Sequence, residues 1–257
     1  MEIAILLSWP GPSPGGVGAR VYTGRSFWQS PPLPTAKDVM ERPQERPRYI
    51  AVEGPIGVGK TTLAQILAER VGARLILEPV EDNPFLPAFY EDARKNAFQT
   101  QLFFLLSRFQ QQQQLFQQDL FSRSTIADYL FAKDRIFAAL TLDRNELSLY
   151  DRLYEVLGPR VVKPDLVIYL QARTEVLLKR IQRRGRDYER EIDPAYVGAL
   201  ATAYSDHFFH YDETPLLVVN TSDIDIVDSE ADVEALAAVI RRHRKGTQHY
   251  LPMRTGR

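Results

Sequence analysis

The stretch Glu53–Thr62, EGPIGVGKTT, carries the residues whose types and spacing most plainly can do chemistry. Gly54, Gly57, Gly59, Lys60 and Thr61 fit the pattern G-x-x-x-x-G-K-[ST], with an apolar β-rich run before and a helix-period run after. Glycines let successive backbone N–H groups turn inward toward phosphate oxygens, and the helix that follows adds its positive end. Lys60 reaches for the β- and γ-phosphates of a nucleoside triphosphate, Thr61 offers its hydroxyl to Mg²⁺, and Thr62 extends the cradle into the helix. The motif does not say whether the terminal phosphate goes to water or to a second substrate.

Three further groups bear on that question. Glu78 closes the run ARLILE, on the sheet edge expected to face the glycine loop. A carboxylate there can take a proton from a substrate hydroxyl aimed at the γ-phosphate, or it can be a solvated strand-end residue. Asp128 closes STIAD and can hold the metal directly or through water, or simply form a turn. The segment RIQRRGR carries Arg180, Arg183, Arg184 and Arg186, whose forks match phosphate oxygens and whose charges neutralise the transferring group. A basic helix end favoured by the helix dipole is the plainer reading. A basic lid also keeps water from the phosphate.

The elements that must position these residues follow from periodicity. YIAVE (49–53), ARLILEPV, STIADY, PDLVIYLQA and PLLVVNT read as five strands. Helical patterns lie between them, including a long amphipathic helix with Phe98, Leu102, Leu105, Leu106 and Phe109 at helical intervals. Gln110–Gln114 reads as a solvated face of that helix, and Thr174 as the N-cap of the arginine-bearing one. Strands alternating with helices imply a parallel sheet covered on both faces, with ligands at the carboxyl ends of the strands.

Composition sets the outer limits. The net charge of −1 gives no long-range pull toward nucleic acid or an anionic membrane, and no apolar run is long enough to span a bilayer. Zero cysteines excludes disulfides and cysteine metal sites and fits a reducing, cytoplasmic location. Residues 1–47 are rich in Pro, Gly and Ser and read as a disordered or mis-assigned extension, with Met40 a natural start. The short apolar run after Met1 lacks a basic flank and makes a poor signal peptide. The expected domain spans 48–243, and the tail 244–257 has no assigned place.

Six blocks in order, EGPIGVGKTT, LEPVEDNPFLPAFY, FQTQLFFLLSR, ADYLFAKDRIFA, PDLVIYL and RIQRRGRDYE, resemble the deoxyribonucleoside kinases. The similarity is greatest to the bacterial deoxyguanosine and deoxyadenosine/deoxycytidine kinase branch, and it covers roughly Arg48 to Asp225. It implies transfer of the γ-phosphate of ATP, with Mg²⁺, to the 5′-hydroxyl of a deoxynucleoside by a homodimer. It implies Glu78 as the base and Gln101 as the residue that pairs with the nucleobase, with Gln99 a competitor. Phe98 then flanks the ring, Arg108 and Asp134 line the base edge, and Tyr90 with Glu189 holds the 3′-hydroxyl. Arg184 and Arg186 match lid arginines, and Arg180 stands one turn earlier. There is a departure: after Asp128 comes Tyr129-Leu130, not Arg-Ser, so either another cation helps place Glu78, with Arg123 and Arg180 as candidates, or that contact is absent. The Arg108/Asp134 pair leans toward purines, with deoxycytidine possible. A nucleoside monophosphate kinase such as one acting on dTMP, and a P-loop regulatory ATPase, are the alternatives. The expectation is an α/β, three-layer P-loop kinase fold, a five-stranded parallel sheet flanked by helices with a short Arg-rich lid.

Overall fold

The structure is a computed structural model that describes residues 49–118, 124–224 and 229–251. In chain order, β1 (Tyr49–Glu53) leads through the glycine loop to α1 (Lys60–Val71), and β2 (Arg74–Ile76) leads to α2 (Leu86–Glu91) and α3 (Ala93–Gln118). Then come β3 (Thr125–Ala127), α4 (Lys133–Thr141), α5 (Arg144–Leu157), β4 (Leu166–Gln171) and α6 (Thr174–Arg184). The chain continues through α7 (Pro194–Phe209), β5 (Leu216–Asn220) and α8 (Glu230–Arg242) to β6 (Thr247–Tyr250). The readings of residues 1–47 and of Arg123 fall outside the described residues.

The strands form one sheet of order β2-β3-β1-β4-β5-β6, every pairing parallel. It has six strands, not five. The sixth, TQHY, is a mostly exposed edge strand with no apolar run, so periodicity could not detect it. Its pairing with β5 carries the sheet past residue 243 as far as Tyr250. His243 supports the turn into it, with Nε2 donating to Gly246 O at 3.1 Å.

β4 shows how the layers are built. Leu166, Ile168 and Leu170 face one side, against Leu63 and Leu67 of α1, Leu177 and Ile181 of α6, and Leu236 of α8. Val167 and Tyr169 face the other, against Ile136 of α4 and Leu200, Tyr204 and Phe208 of α7. This is the period-two alternation of a strand buried on both faces, and it gives the three layers.

Three local readings need correction. Arg173, which makes no side-chain capping bond, is the N-cap, and Thr174 is the first helical residue. In α3, Leu105 is fully buried but Leu106 is 49 % exposed. The buried face runs through Ala97, Thr100, Gln101, Phe104, Leu105, Arg108 and Gln112. Half of that face is polar, so the apolar stripe in the sequence coincides with it only in part, through Leu105. The glutamines are a solvated face only in part: Gln110 and Gln114 are exposed, but Gln112 is buried and its Nε2 donates to Tyr49 Oη at 3.1 Å, while Gln111 Nε2 donates to Leu77 O at 3.1 Å. Among the described residues no helix is long and apolar enough to cross a membrane.

Candidate active site

The glycine loop leaves β1 at the carboxyl edge of the sheet. Gly57 adopts φ +82°, and a Cβ there would lie 2.8 Å from Leu177 O on α6. Only glycine satisfies both the backbone angle and the close approach. Gly54 and Gly59 also take positive φ. Lys60 Nζ donates to Gly54 O at 2.7 Å and to Pro55 O at 3.2 Å, so the cation sits over the cradle. Burial, and then the neighbouring charge of Lys133, push its ammonium down to about 8. Thr62 is half-buried in the first turn of α1, away from the cavity described below.

Asp128 joins three elements. Its Oδ2 accepts from Thr61 Oγ1 at 2.6 Å and its Oδ1 from the Glu78 backbone N–H at 2.7 Å. Its own N–H donates to Ile76 O at 3.1 Å. A hydroxyl and a carboxylate side by side, both hard oxygen donors, fit Mg²⁺, which keeps several waters and takes few protein ligands.

Glu78 lies two residues past β2. Its Oε1 pairs with Arg108 Nη2, and Lys133 Nζ is 2.6 Å from its Oε2. Burial alone would raise its carboxyl; Arg108 and Lys133 outweigh that and hold it down at about 2. Arg108 Nη1 also pairs with Asp134, so two cations and two carboxylates form one buried cluster. Pairing is what makes burying four charges tolerable.

These groups meet at a cavity of about 220 Å³. Lys60, Thr61 and Asp128 border it, as do Glu78, Arg108 and Lys133. Gln101 and the rings of Phe89, Phe104 and Phe137 line it, as do Tyr90, Glu189, Arg184 and Arg186. Arg184 clasps the buried Glu189 carboxylate, with Nη2 2.7 Å from both oxygens. Arg186 lies 3.4 Å from Glu81 Oε1, and its guanidinium sits 5.9 Å from the Tyr188 ring centre. Tyr188 in turn stacks on Tyr90 at 5.6 Å, so the lid rests on the cavity wall.

Besides Thr62, three expected residues are placed elsewhere. Phe98 does not line the cavity; Phe104, one turn beyond Gln101 rather than one turn before it, does. Helical spacing alone fits both equally. Asp134 is fully buried behind Arg108. Arg180 donates to Thr221 Oγ1 at 2.9 Å, Thr221 O at 2.7 Å and Val58 O at 3.3 Å. It therefore braces the glycine loop against the segment after β5 and does not reach Glu78.

The departure at Tyr129 also has a physical reason. Tyr129 is fully buried with Ile76 and Ala127, so its position belongs to the core and its side chain cannot serve the cavity. Among the described residues the cations paired with Glu78 are Arg108 and Lys133. Sequence reasoning missed Lys133; the available signal was a lysine five residues past Asp128 at the start of a helix.

Comparison with known proteins gives a consistent picture. The family model described as Deoxynucleoside kinase matches residues 50–244. A deoxyguanosine kinase of Bacillus subtilis is 38 % identical over 200 residues, covering 75 % of this chain and 96 % of that protein. A deoxyadenosine/deoxycytidine kinase of the same organism is 33 % identical, covering 76 % and 94 %. Among solved structures, a deoxyadenosine kinase from M. mycoides with bound dATP superposes with a TM-score of 0.64 at 26 % identity, covering 76 % of this chain and 99 % of that one.

Proposed function

The chain belongs to the deoxynucleoside kinase family, and from that premise we propose a division of labour at its site. The enzyme phosphorylates deoxynucleosides. The finer reading is that it prefers purine deoxynucleosides, accepts deoxycytidine, and uses ATP with Mg²⁺. Related kinases act on deoxyguanosine and on deoxyadenosine and deoxycytidine, which supports that range.

In this reading the glycine loop and Lys60 hold the β- and γ-phosphates. Thr61 and Asp128 would hold Mg²⁺, which neutralises phosphate charge when bound. Gln101 offers a donor and an acceptor to the nucleobase edge, between the walls of Phe104 and Phe137. Tyr90 and Glu189 hold the 3′-hydroxyl. Glu78 accepts the 5′-hydroxyl proton as the oxygen bonds to the γ-phosphorus; the bond to the β-phosphate oxygen breaks and ADP leaves with that electron pair. Arg184 and Arg186 close over the transferring group and exclude water.

The observation that carries this is one cavity bordered by Lys60, Thr61 and Asp128, by Glu78, and by Gln101. A regulatory ATPase has no use for the last two. The test is to incubate the protein with ATP–Mg²⁺ and, separately, each of the four deoxynucleosides and dTMP, following ADP and product. Deoxynucleoside-dependent ADP and a 5′-monophosphate are expected. ADP release without a nucleoside, or only with dTMP, would overturn the reading.

We propose further that the enzyme is a cytoplasmic homodimer. Leu106 of α3 and Leu149 and Val156 of α5 are 49–64 % exposed, which supports an apolar contact face. Sedimentation at micromolar concentration tests it; a monomer would exclude it.

A further inference from the structure

We infer that Lys133 is the positioning cation of this site: its ammonium holds the Glu78 carboxylate beside the phosphate cradle, supplying the charge that the core residue Tyr129 cannot. This rests on the function proposed above.

The placement is built, not incidental. Lys133 opens α4, and its side chain is 5 % exposed yet borders the cavity. Among the described residues its Nζ has one hydrogen-bond partner, Glu78 Oε2 at 2.6 Å, and it stands 5.7 Å from the centre of the Phe137 ring. An ammonium carries three donors, so further N–H bonds remain for an oxygen entering the cavity. The turn that carries Lys133 is tied to the cradle itself. Leu130 N–H donates to Glu53 Oε2 at 2.7 Å, while Glu53 Oε1 accepts from Gly54 N–H at 2.8 Å and Tyr204 Oη at 3.0 Å.

Arg108 cannot fill the same role alone. It is shared between Glu78 and Asp134. Asp134, fully buried behind it, holds the other side of that guanidinium, whereas among the described residues Lys133 Nζ pairs with Glu78 alone. A carboxylate held on one side by Lys133 keeps its other lone pairs for the acceptor hydroxyl.

The test compares wild type with Lys133→Met and Lys133→Arg in steady-state kinetics, and measures binding of a 2′,5′-dideoxynucleoside, which lacks the acceptor hydroxyl. The inference predicts that Lys133→Met lowers kcat about 10²-fold, the typical effect of removing one preorganised charge-stabilising donor. The KM for ATP and the affinity for the dideoxynucleoside should stay within about threefold, because neither depends on the acceptor oxygen. Lys133→Arg should recover at least about tenfold of the loss, since it restores the charge. Should Lys133→Met fail to fold by circular dichroism, Lys133→Gln is read the same way. An unchanged kcat in an active enzyme overturns this inference alone, as does a loss of dideoxynucleoside binding that Lys133→Arg does not repair. A wild-type protein inert toward deoxynucleosides overturns the proposed function with it.

Discussion

Thr61 Oγ1 donates to Asp128 Oδ2 across 2.6 Å, which joins the first turn of α1 to the end of β3. The bond pre-sets two hard oxygens beside the phosphate cradle. Outer-shell and ligand changes of this kind typically cost about 10–100-fold in metal affinity. Asp128→Asn keeps the shape and removes the charge. Titrating activity against Mg²⁺ should show half-saturation displaced upward by that factor, and an unchanged titration would remove Asp128 from the metal.

Gln101 is 3 % exposed and faces the cavity. Gln101→Ala leaves a nucleobase edge unpaired, at a cost of about 1–3 kcal/mol, or roughly tenfold or more in affinity. The KM for the deoxynucleoside should rise by that much while the KM for ATP holds. Equal losses for both ligands would mean that the nucleobase binds elsewhere.

The glycine loop can be tested by paired substitutions. A side chain at either Gly57 or Gly59 meets a strained positive φ, worth roughly 1–2 kcal/mol. Only at Gly57 does it also meet the α6 backbone, because nothing lies within 4 Å of a Cβ at Gly59. Gly57→Ala should therefore lower Tm more than Gly59→Ala, by about 2–4 °C for each extra kcal/mol in a chain of this size. Equal shifts in differential scanning calorimetry would contradict the packing described here.

Acid stability follows from Glu78. Its carboxyl is held at about 2 against an ordinary 4.5. A depressed value means that folding favours the ionised form. The contribution is complete above about pH 4.5 and is lost as pH falls through about 2. The linkage is on the order of 3 kcal/mol. Urea unfolding of wild type and Glu78→Gln should show a stability gap at pH 7 that shrinks steadily below pH 4.5. A gap independent of pH would place the pairing elsewhere.

How much of this was legible in the sequence depends on what a residue faces. β1, β4 and β5 are covered on both faces, so their apolar runs declared them. β6 is a polar edge strand and declared nothing. The glycine loop was legible because its backbone geometry demands particular residue types. Glu78 and Asp128 were legible as carboxylates at strand ends. Lys133 was not, because its role depends on a turn tied down by the Glu53 carboxylate some 77 residues away. The choice between Phe98 and Phe104 needed the rotation of α3, whose buried face is half polar and so leaves no clean hydrophobic period. Tyr129 departs from the family's pattern for a reason the sequence does not show: it is buried beside Ile76 and Ala127 as a core residue.

The central claim is that Glu78 takes the proton from the acceptor hydroxyl. Steady-state kcat of Glu78→Gln with a purine deoxynucleoside at saturating ATP–Mg²⁺ tests it most directly. A fall of about 10²–10⁴-fold with the nucleoside still bound is expected, the usual contribution of a general base. Turnover equal to wild type would contradict it.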